Sequence, residues 1–334
     1  MNVIVSLVLV AVACLVAIAG SAANLGFVFG VIIPYAAIAL FLGGLVYRIV
    51  LWARSPVPFR IPTTSGQQKS LDFIPQNKWD SPFTGFQTFM RMLLEVLTFR
   101  SLFKNTNATL TEDKKLVYGS SKWLWAAGLA FHWSFLIIFL RHLRFFLEPV
   151  PCWVNLLGDI DGFLQIAVPV LYLTDLVAVA ALTFLFLRRV VLPQVKYISL
   201  VSDYFSLFLL LTIAVTGVLM RYFIKTDLPA IKDLSLGLVT FNPIVPDGIG
   251  AIFWIHFFLV CVLLMYFPFS KLLHMAGVFM SPTRNLPNNS RAVRHINPWN
   301  PEVKKHSYEE YEEEFHELMD EAGLPLEKEY PKEE

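Results

Sequence analysis

Four of the seven histidines in this 334-residue chain lie inside long apolar stretches: His132 and His142 in one, His256 and His274 in another. Ionisable side chains at such depth are costly and mark a functional site by default. A lone membrane histidine is usually a hydrogen-bonded packing residue, but two segments with two histidines each can build more. Bis-imidazole ligation of a haem takes one histidine from each of two facing helices at matching depth, and four histidines supply two such sites. With the two helices antiparallel, depth pairs His142 with His256 and His132 with His274. At 1.5 Å and 100° per residue, His256 and His274 are about 27 Å apart on one face, whereas His132 and His142 are about 15 Å and 80° apart. Tilt, side-chain reach and a kink at Pro268 can absorb part of that mismatch.

The neighbours of these histidines carry further chemistry. Arg141 and Arg144 beside His142, and Lys271 beside His274, place cations where haem propionates need partners; snorkelling to headgroups explains the same positions. Gly128, one turn before His132, lets a porphyrin approach the backbone, although glycine is common in membrane helices generally. Asp175 falls in the middle of a predicted helix, where a carboxylate serves as a proton relay or pairs with an arginine of a neighbouring helix. Cys14, Cys152 and Cys261 are far apart with no C-x-x-C pair, which excludes a thiolate iron–sulfur site and c-type haem attachment.

The elements that must position these residues follow from composition. The chain is 56% hydrophobic and 16% charged, with mean hydropathy +0.57, against roughly 25% charge in an ordinary soluble domain. A net charge of +1 removes the basic surplus of a nucleic-acid binder. The first charged side chain is Arg48, and stretches of about 20 apolar residues predict six transmembrane helices, near 2–20, 26–53, 122–147, 163–187, 200–224 and 248–275. The expected class is an all-α membrane protein. A cleaved signal peptide is the rival reading of the first stretch, which lacks a basic n-region. Ten Lys and Arg between Arg54 and Lys122 put the 54–121 loop in the cytoplasm, as do Arg188, Arg189 and Lys196 for the next connection on that side. Both termini are then cytoplasmic, and the 148–162 connection, with only Glu148, Asp159 and Asp161, faces outward.

Three parts are expected: an added first helix (1–25), a helical bundle (26–278) that includes the 54–121 loop, and a cytoplasmic tail (279–334). Within the loop, Phe83 to Phe99 shows helical apolar spacing, which fits an interfacial helix on the inner leaflet as well as a helix packed under the bundle. In the tail, Arg284, Arg291, Arg294, His295 and Trp299 offer a docking surface for a soluble partner or a basic patch for anionic lipid. An acidic amphipathic helix over 308–321 follows them.

The 10- and 18-residue histidine spacings resemble the gamma, or cytochrome b, subunits of respiratory nitrate reductases. The segment SPTRNLPNNSRAVRHINPWNP (Ser281–Pro301), with EVLTFRSLF (Glu95–Phe103), more narrowly resembles DsrM-type cytochrome b subunits. Those belong to sulfite-reduction-associated electron-transfer complexes and are related to heterodisulfide reductase membrane subunits. The resemblance spans almost the whole chain and implies a five-helix di-haem bundle from residue 26. It implies two b-type haems, with the first histidine paired to the last and the inner two together, and menaquinone as substrate. The implied partners are a cytoplasmic iron–sulfur subunit resembling a heterodisulfide reductase catalytic subunit and other subunits of a membrane complex, in a prokaryotic cytoplasmic membrane.

Two features depart from the family: the added first helix, and the lack around Asp159–Gly162 of the lysine the family places near the outer haem. On this reading quinol binds near the His142/His256 pair, with Asp159, Asp161 and Asp175 as candidates for quinone contact and proton acceptance; a plain solvated loop is the simpler account of Asp159 and Asp161. The competing class is a transporter or proton channel lined by Asp175, Asp203 and Arg221, with the histidines shuttling protons. Inverted repeats would favour it, and none is visible.

Overall fold

The computed structural model describes residues 1–57, 66–111, 113–163, 169–296 and 305–330. Its helices are α1 (Asn2–Ala22), α2 (Ile33–Ala53), α3 (Gly85–Thr98), α4 (Arg100–Phe103), α5 (Lys122–His142), α6 (Cys152–Asp161), α7 (Leu173–Val191), α8 (Pro193–Ile198), α9 (Val201–Tyr222), α10 (Leu228–Val239), α11 (Ala251–Tyr266), α12 (His274–Gly277) and α13 (Tyr308–Glu321). Among the described residues, five stretches are long and apolar enough to cross a membrane: Asn2–Ala22, Val28–Ala53, Lys122–Phe145, Val201–Tyr222 and Ala251–Phe269.

The first two separate where expected. Asn24 takes a left-handed conformation (φ 56°), which asparagine tolerates better than other side chains. Leu25 N–H bonds back to Gly20 O at 3.0 Å. The ring of Phe29 lies so close to Gly20 that a Cβ there would meet it at 2.1 Å, so only glycine admits this close turn. α1 then packs on α9 and α11, and α2 on α11.

The expected span at 163–187 is shifted: α7 starts at Leu173, after an extended Tyr172 (φ −85°, ψ 125°) and where Asp161 Oδ1 accepts the Thr174 amide at 2.9 Å, and it runs on to Val191. It packs between α5 and α9. The described residues are mostly helical, as expected, with one addition: a β-hairpin, β1 (Thr106–Leu110) antiparallel to β2 (Leu116–Ser120), where two short β-prone runs flank a polar turn. Two apolar cores hold the bundle. Phe29, Leu234, Phe253 and Trp254 meet where α10 lies across one end, and Val10, Leu209 and Leu259 meet at the α1–α9–α11 junction. The end with α6 and α10 is called the far end below, and the end with the hairpin and α3 the basic end.

α3 begins at Thr84, whose Oγ1 accepts from Gln87 N–H at 3.3 Å, and stops at Phe99 with φ 50°. Its last turn is fixed to α5 by Trp125 Nε1 donating to Thr98 O at 2.7 Å and Trp133 Nε1 to Leu97 O at 3.1 Å. Phe86, Phe89, Leu93, Val96 and Leu97 stay exposed, so α3 is tied to α5 through its last turn and keeps a bare apolar face along its length. The start of the tail returns to this region: Asn288 Nδ2 donates to Ser81 Oγ at 2.9 Å, and Arg284 Nε lies 3.5 Å from Glu95 Oε1. α13 opens on a Ser307/Glu310 capping box, and its buried Glu312 accepts the Glu327 and Lys328 amides at 2.8 Å each.

Candidate functional site

The structure brings the four histidines together in the pairs that depth selects. His142 and His256 stack with ring centroids 6.5 Å apart and planes 13° from parallel. His132 and His274 lie 5.9 Å apart at 78°. A metal about 2 Å from one nitrogen of each of two opposed rings sets their centroids roughly 6 Å apart. Nδ1 of His132 bonds Gly128 O at 2.7 Å, Nδ1 of His142 bonds Ile138 O at 2.7 Å, and Nδ1 of His274 bonds Lys271 O at 2.9 Å. A carbonyl only accepts, so these three rings carry hydrogen on Nδ1 and leave the Nε2 lone pair free to ligate. His256 Nδ1 meets Thr216 Oγ1 at 2.9 Å. Among the described residues no group of three or more His, Cys, Asp or Glu could hold a metal ion. Two-residue sites of this kind suit a group that brings its own equatorial ligands, as haem does.

The depth mismatch is resolved by breaking the last helix. α11 ends at Tyr266, ten residues beyond His256, which equals the His132–His142 separation and about 15 Å of rise. Buried Pro268 packs against α2, where a Cβ on Gly44 would lie 2.7 Å from it. Ser270 is extended (φ −117°, ψ 174°), and the chain is redirected through two single turns, Phe267–Phe269 and Lys271–Leu273, to His274. The expected continuous helix 248–275 is corrected accordingly. Phe99 and Phe131 contact the His132 ring at 4.9 and 5.0 Å.

At the far end a buried ion cluster adjoins His142. Arg141 donates from Nη2 to Asp175 Oδ1 at 2.7 Å and to Thr174 Oγ1 at 3.2 Å, and its Nε lies 3.1 Å from Asp161 Oδ2. Asp161 accepts from Thr174 N–H at 2.9 Å and from its Oγ1 at 2.6 Å. Tyr222 OH donates to Asp175 Oδ2 at 3.0 Å and accepts Tyr172 N–H at 2.9 Å. The guanidinium carbons of Arg141 and Arg221 lie 3.7 and 3.8 Å from the Tyr172 ring centroid, close enough for cation–π attraction.

Several expectations change here. Asp175 sits in the first turn of α7 rather than mid-helix, and it pairs with an arginine of a neighbouring helix. Asp161 is buried in α6 rather than in a solvated loop, while Asp159 is exposed. Arg141 is engaged by two carboxylates of its own chain rather than standing free for a propionate. Arg144 Nε donates to Arg141 O at 3.0 Å, and its guanidinium lies against Gly158 of α6. Lys271 engages Asp203 at 2.9 and 3.1 Å. Gly128 contributes its carbonyl to His132, and the nearest atom to a Cβ placed there is Leu102 Cδ2 at 3.7 Å. Sequence reasoning missed Thr216, Tyr172 and Tyr222; the Arg221–Tyr222 pair at the end of an apolar run was the available signal.

Of the docking residues, Arg284 is tied to Glu95, Arg291 and Arg294 are exposed, and His295 is half-buried; Trp299 lies outside the described residues. Residues 93–295 match the nitrate reductase gamma subunit family. An Archaeoglobus fulgidus protein described as an Hdr-like menaquinol oxidoreductase cytochrome b-like subunit is 50% identical over 284 residues, 83% of this chain and 85% of that one. A protein of the same description from Archaeoglobus profundus is 46% identical over 276 residues, 80% and 82% of the two chains.

Proposed function

Because the chain belongs to the nitrate reductase gamma subunit family and is an integral membrane protein, we propose that it is the di-haem cytochrome b of a menaquinol-linked respiratory complex. It exchanges electrons between menaquinol and a cytoplasmic iron–sulfur subunit resembling a heterodisulfide reductase catalytic subunit. The complex serves sulfur metabolism, as the Dsr resemblance of Glu95–Phe103 and Ser281–Pro301 implies. The observation that carries this reading is the pair of imidazole couples at 6.5 and 5.9 Å, with every Nδ1 hydrogen-bonded. A b-type haem held on each pair supplies one-electron transfer, which the protein tunes through ligation, burial and nearby charge.

The chain's residues have separable tasks. His142/His256 and His132/His274 would each hold one haem. α7 is the sixth span, and the basic loop and both termini face the cytoplasm. Menaquinol binds at the far end, where exposed Asp159 is placed to accept its proton, while Asp161 and Asp175 act by holding Arg141. Arg291, Arg294 and His295 face the soluble partner, and Trp299, outside the described residues, is assigned to the same contact from the sequence. The transporter reading has no observation in its favour: Asp175 is paired with Arg141, Asp203 with Lys271, and Arg221 bonds Val170 O and stacks on Tyr172.

Reduced-minus-oxidised spectra of the purified holoprotein test the reading. Two b-type haems reducible by a menaquinol analogue are expected, and a protein without a b-type signal overturns it. Asp159→Asn should slow that reduction with the spectrum intact. Replacing exposed Arg291 and Arg294 by Glu should leave both haems bound and weaken association with the iron–sulfur partner.

A further inference from the structure

Three of the four orienting bonds to the histidines are local. His132, His142 and His274 each bond a main-chain carbonyl three or four residues earlier in their own segment, a contact any helix can supply. His256 differs, because its ring is held from another helix, α9: Nδ1 meets the Thr216 hydroxyl, 40 residues away in sequence, and the Ile213 carbonyl lies beside it. Its orientation therefore exists only where α9 and α11 pack together.

A hydroxyl can donate or accept, so the direction of this bond has to be established. Thr216 Oγ1 also lies 2.8 Å from Thr212 O and 3.0 Å from Ile213 O. Both are carbonyl acceptors, and they take its single hydrogen. Thr216 is buried, so water does not compete, and the lone pair facing His256 accepts the Nδ1 hydrogen. Nε2 is thereby fixed as the ligating atom.

We propose that Thr216 is the positioning residue for His256, setting its tautomer and its strength as a ligand at the far-end site alone. The proposal rests on the di-haem reading. Donation from Nδ1–H raises the basicity of a ligating imidazole, which stabilises oxidised iron. Removing the acceptor therefore raises the potential of that one haem.

The test uses the full-length holoprotein. Thr216→Val, which keeps the shape and removes the hydroxyl, should raise the midpoint potential of the far-end haem and weaken its retention about 10–100-fold. The basic-end haem should not move, and Thr216→Ser should restore both properties. If the Val variant fails to fold, Thr216→Ala removes the same hydroxyl with less bulk and should shift the same haem, with the Ser variant at wild-type potential. A Val variant with both potentials and both affinities unchanged, or with both haems shifted equally, overturns the role of Thr216. His256→Ala separates this failure from that of the underlying reading: it must lose one haem, and retention of two would sink the di-haem assignment itself.

Discussion

At the far end, His142 and His256 face each other nearly parallel beside a buried cluster of two arginines and two aspartates. At the basic end, His132 and His274 meet almost at right angles among Phe99 and Phe131, and one of them sits on a short turn beyond a broken helix. The same two pieces of chain thus build two sites with different supports. The far-end site depends on long-range polar contacts between α5, α6, α7, α9 and α11. The basic-end site depends on where the backbone stops being a helix and on the loop segment that packs over it. Two ligand pairs of one residue type need not have equal potentials or fail under the same mutations.

The most severe break in that comparison is removal of a ligand. Single His→Ala variants should each lose one of two haems by pyridine haemochrome assay, with His142 and His256 variants losing the same one and His132 and His274 variants the other. A single variant that loses both would show that the sites are not independent. Next in size is the ion cluster. Asp161→Asn or Asp175→Asn leaves buried Arg141 with half its counter-charge, and breaking a buried pair costs about 3–5 kcal/mol. A large fall in thermal stability is expected, with the far-end haem the first to be released; equal release of the two haems would deny the cluster its local role. For the basic end the matching variant is Pro268→Ala. A proline costs about 3 kcal/mol inside a helix, so its removal favours continuing α11 past Tyr266 and carrying His274 away from His132. Affinity at the basic-end site should fall about tenfold, equivalent to roughly 1.4 kcal/mol, while the far-end spectrum stays unchanged.

Much of this was legible in the sequence, because the signals that survive without a structure are long and periodic. An apolar run of 20 residues announces a span whatever it packs on, and both the separation of α1 from α2 and the histidine pairing followed from depth alone. What stayed hidden depends on partners distant in sequence. Nothing near Asp161 or Thr174 announces Arg141, and burial of Asp161 follows only once α6 forms and folds back onto α5. The start of α7 was misplaced because hydropathy continues through the chain before Leu173, whereas the helix begins only where Tyr172 is extended and Asp161 accepts the Thr174 amide. Thr216 was invisible for a related reason: a threonine in a membrane helix usually bonds its own preceding turn, as Thr212 does to Phe208 O at 2.7 Å, and only the packing of α11 gives this one a partner on another helix. Pro268 was noticed as a kink, but the extended Ser270 that completes the turn carries no pattern of its own.

The smallest effect concerns the scaffold under the basic end. Asp80 is buried beneath α3 and α4 and pairs with Arg100 at 3.2 Å and with Lys104, anchoring the segment that carries Phe99 against His132. Burial alone would raise its carboxyl, but the hydrogen bonds and charges of Lys104 and Arg100 outweigh it and hold the pKa below the ordinary aspartate value. A depressed folded-state pKa stabilises the fold above the unfolded value, near 3.9, and that contribution is lost as pH falls through the lower folded value. Both cations are partly exposed, so the pairing contributes only about 1 kcal/mol or less. Asp80→Asn should therefore show a small, constant deficit in thermal stability at neutral pH that shrinks below about pH 4. A deficit that grows on acidification would mean that the carboxylate is not held by these cations. Since Asp80 anchors the basic end alone, the His142/His256 haem should be untouched by the substitution at every pH where the protein stays folded.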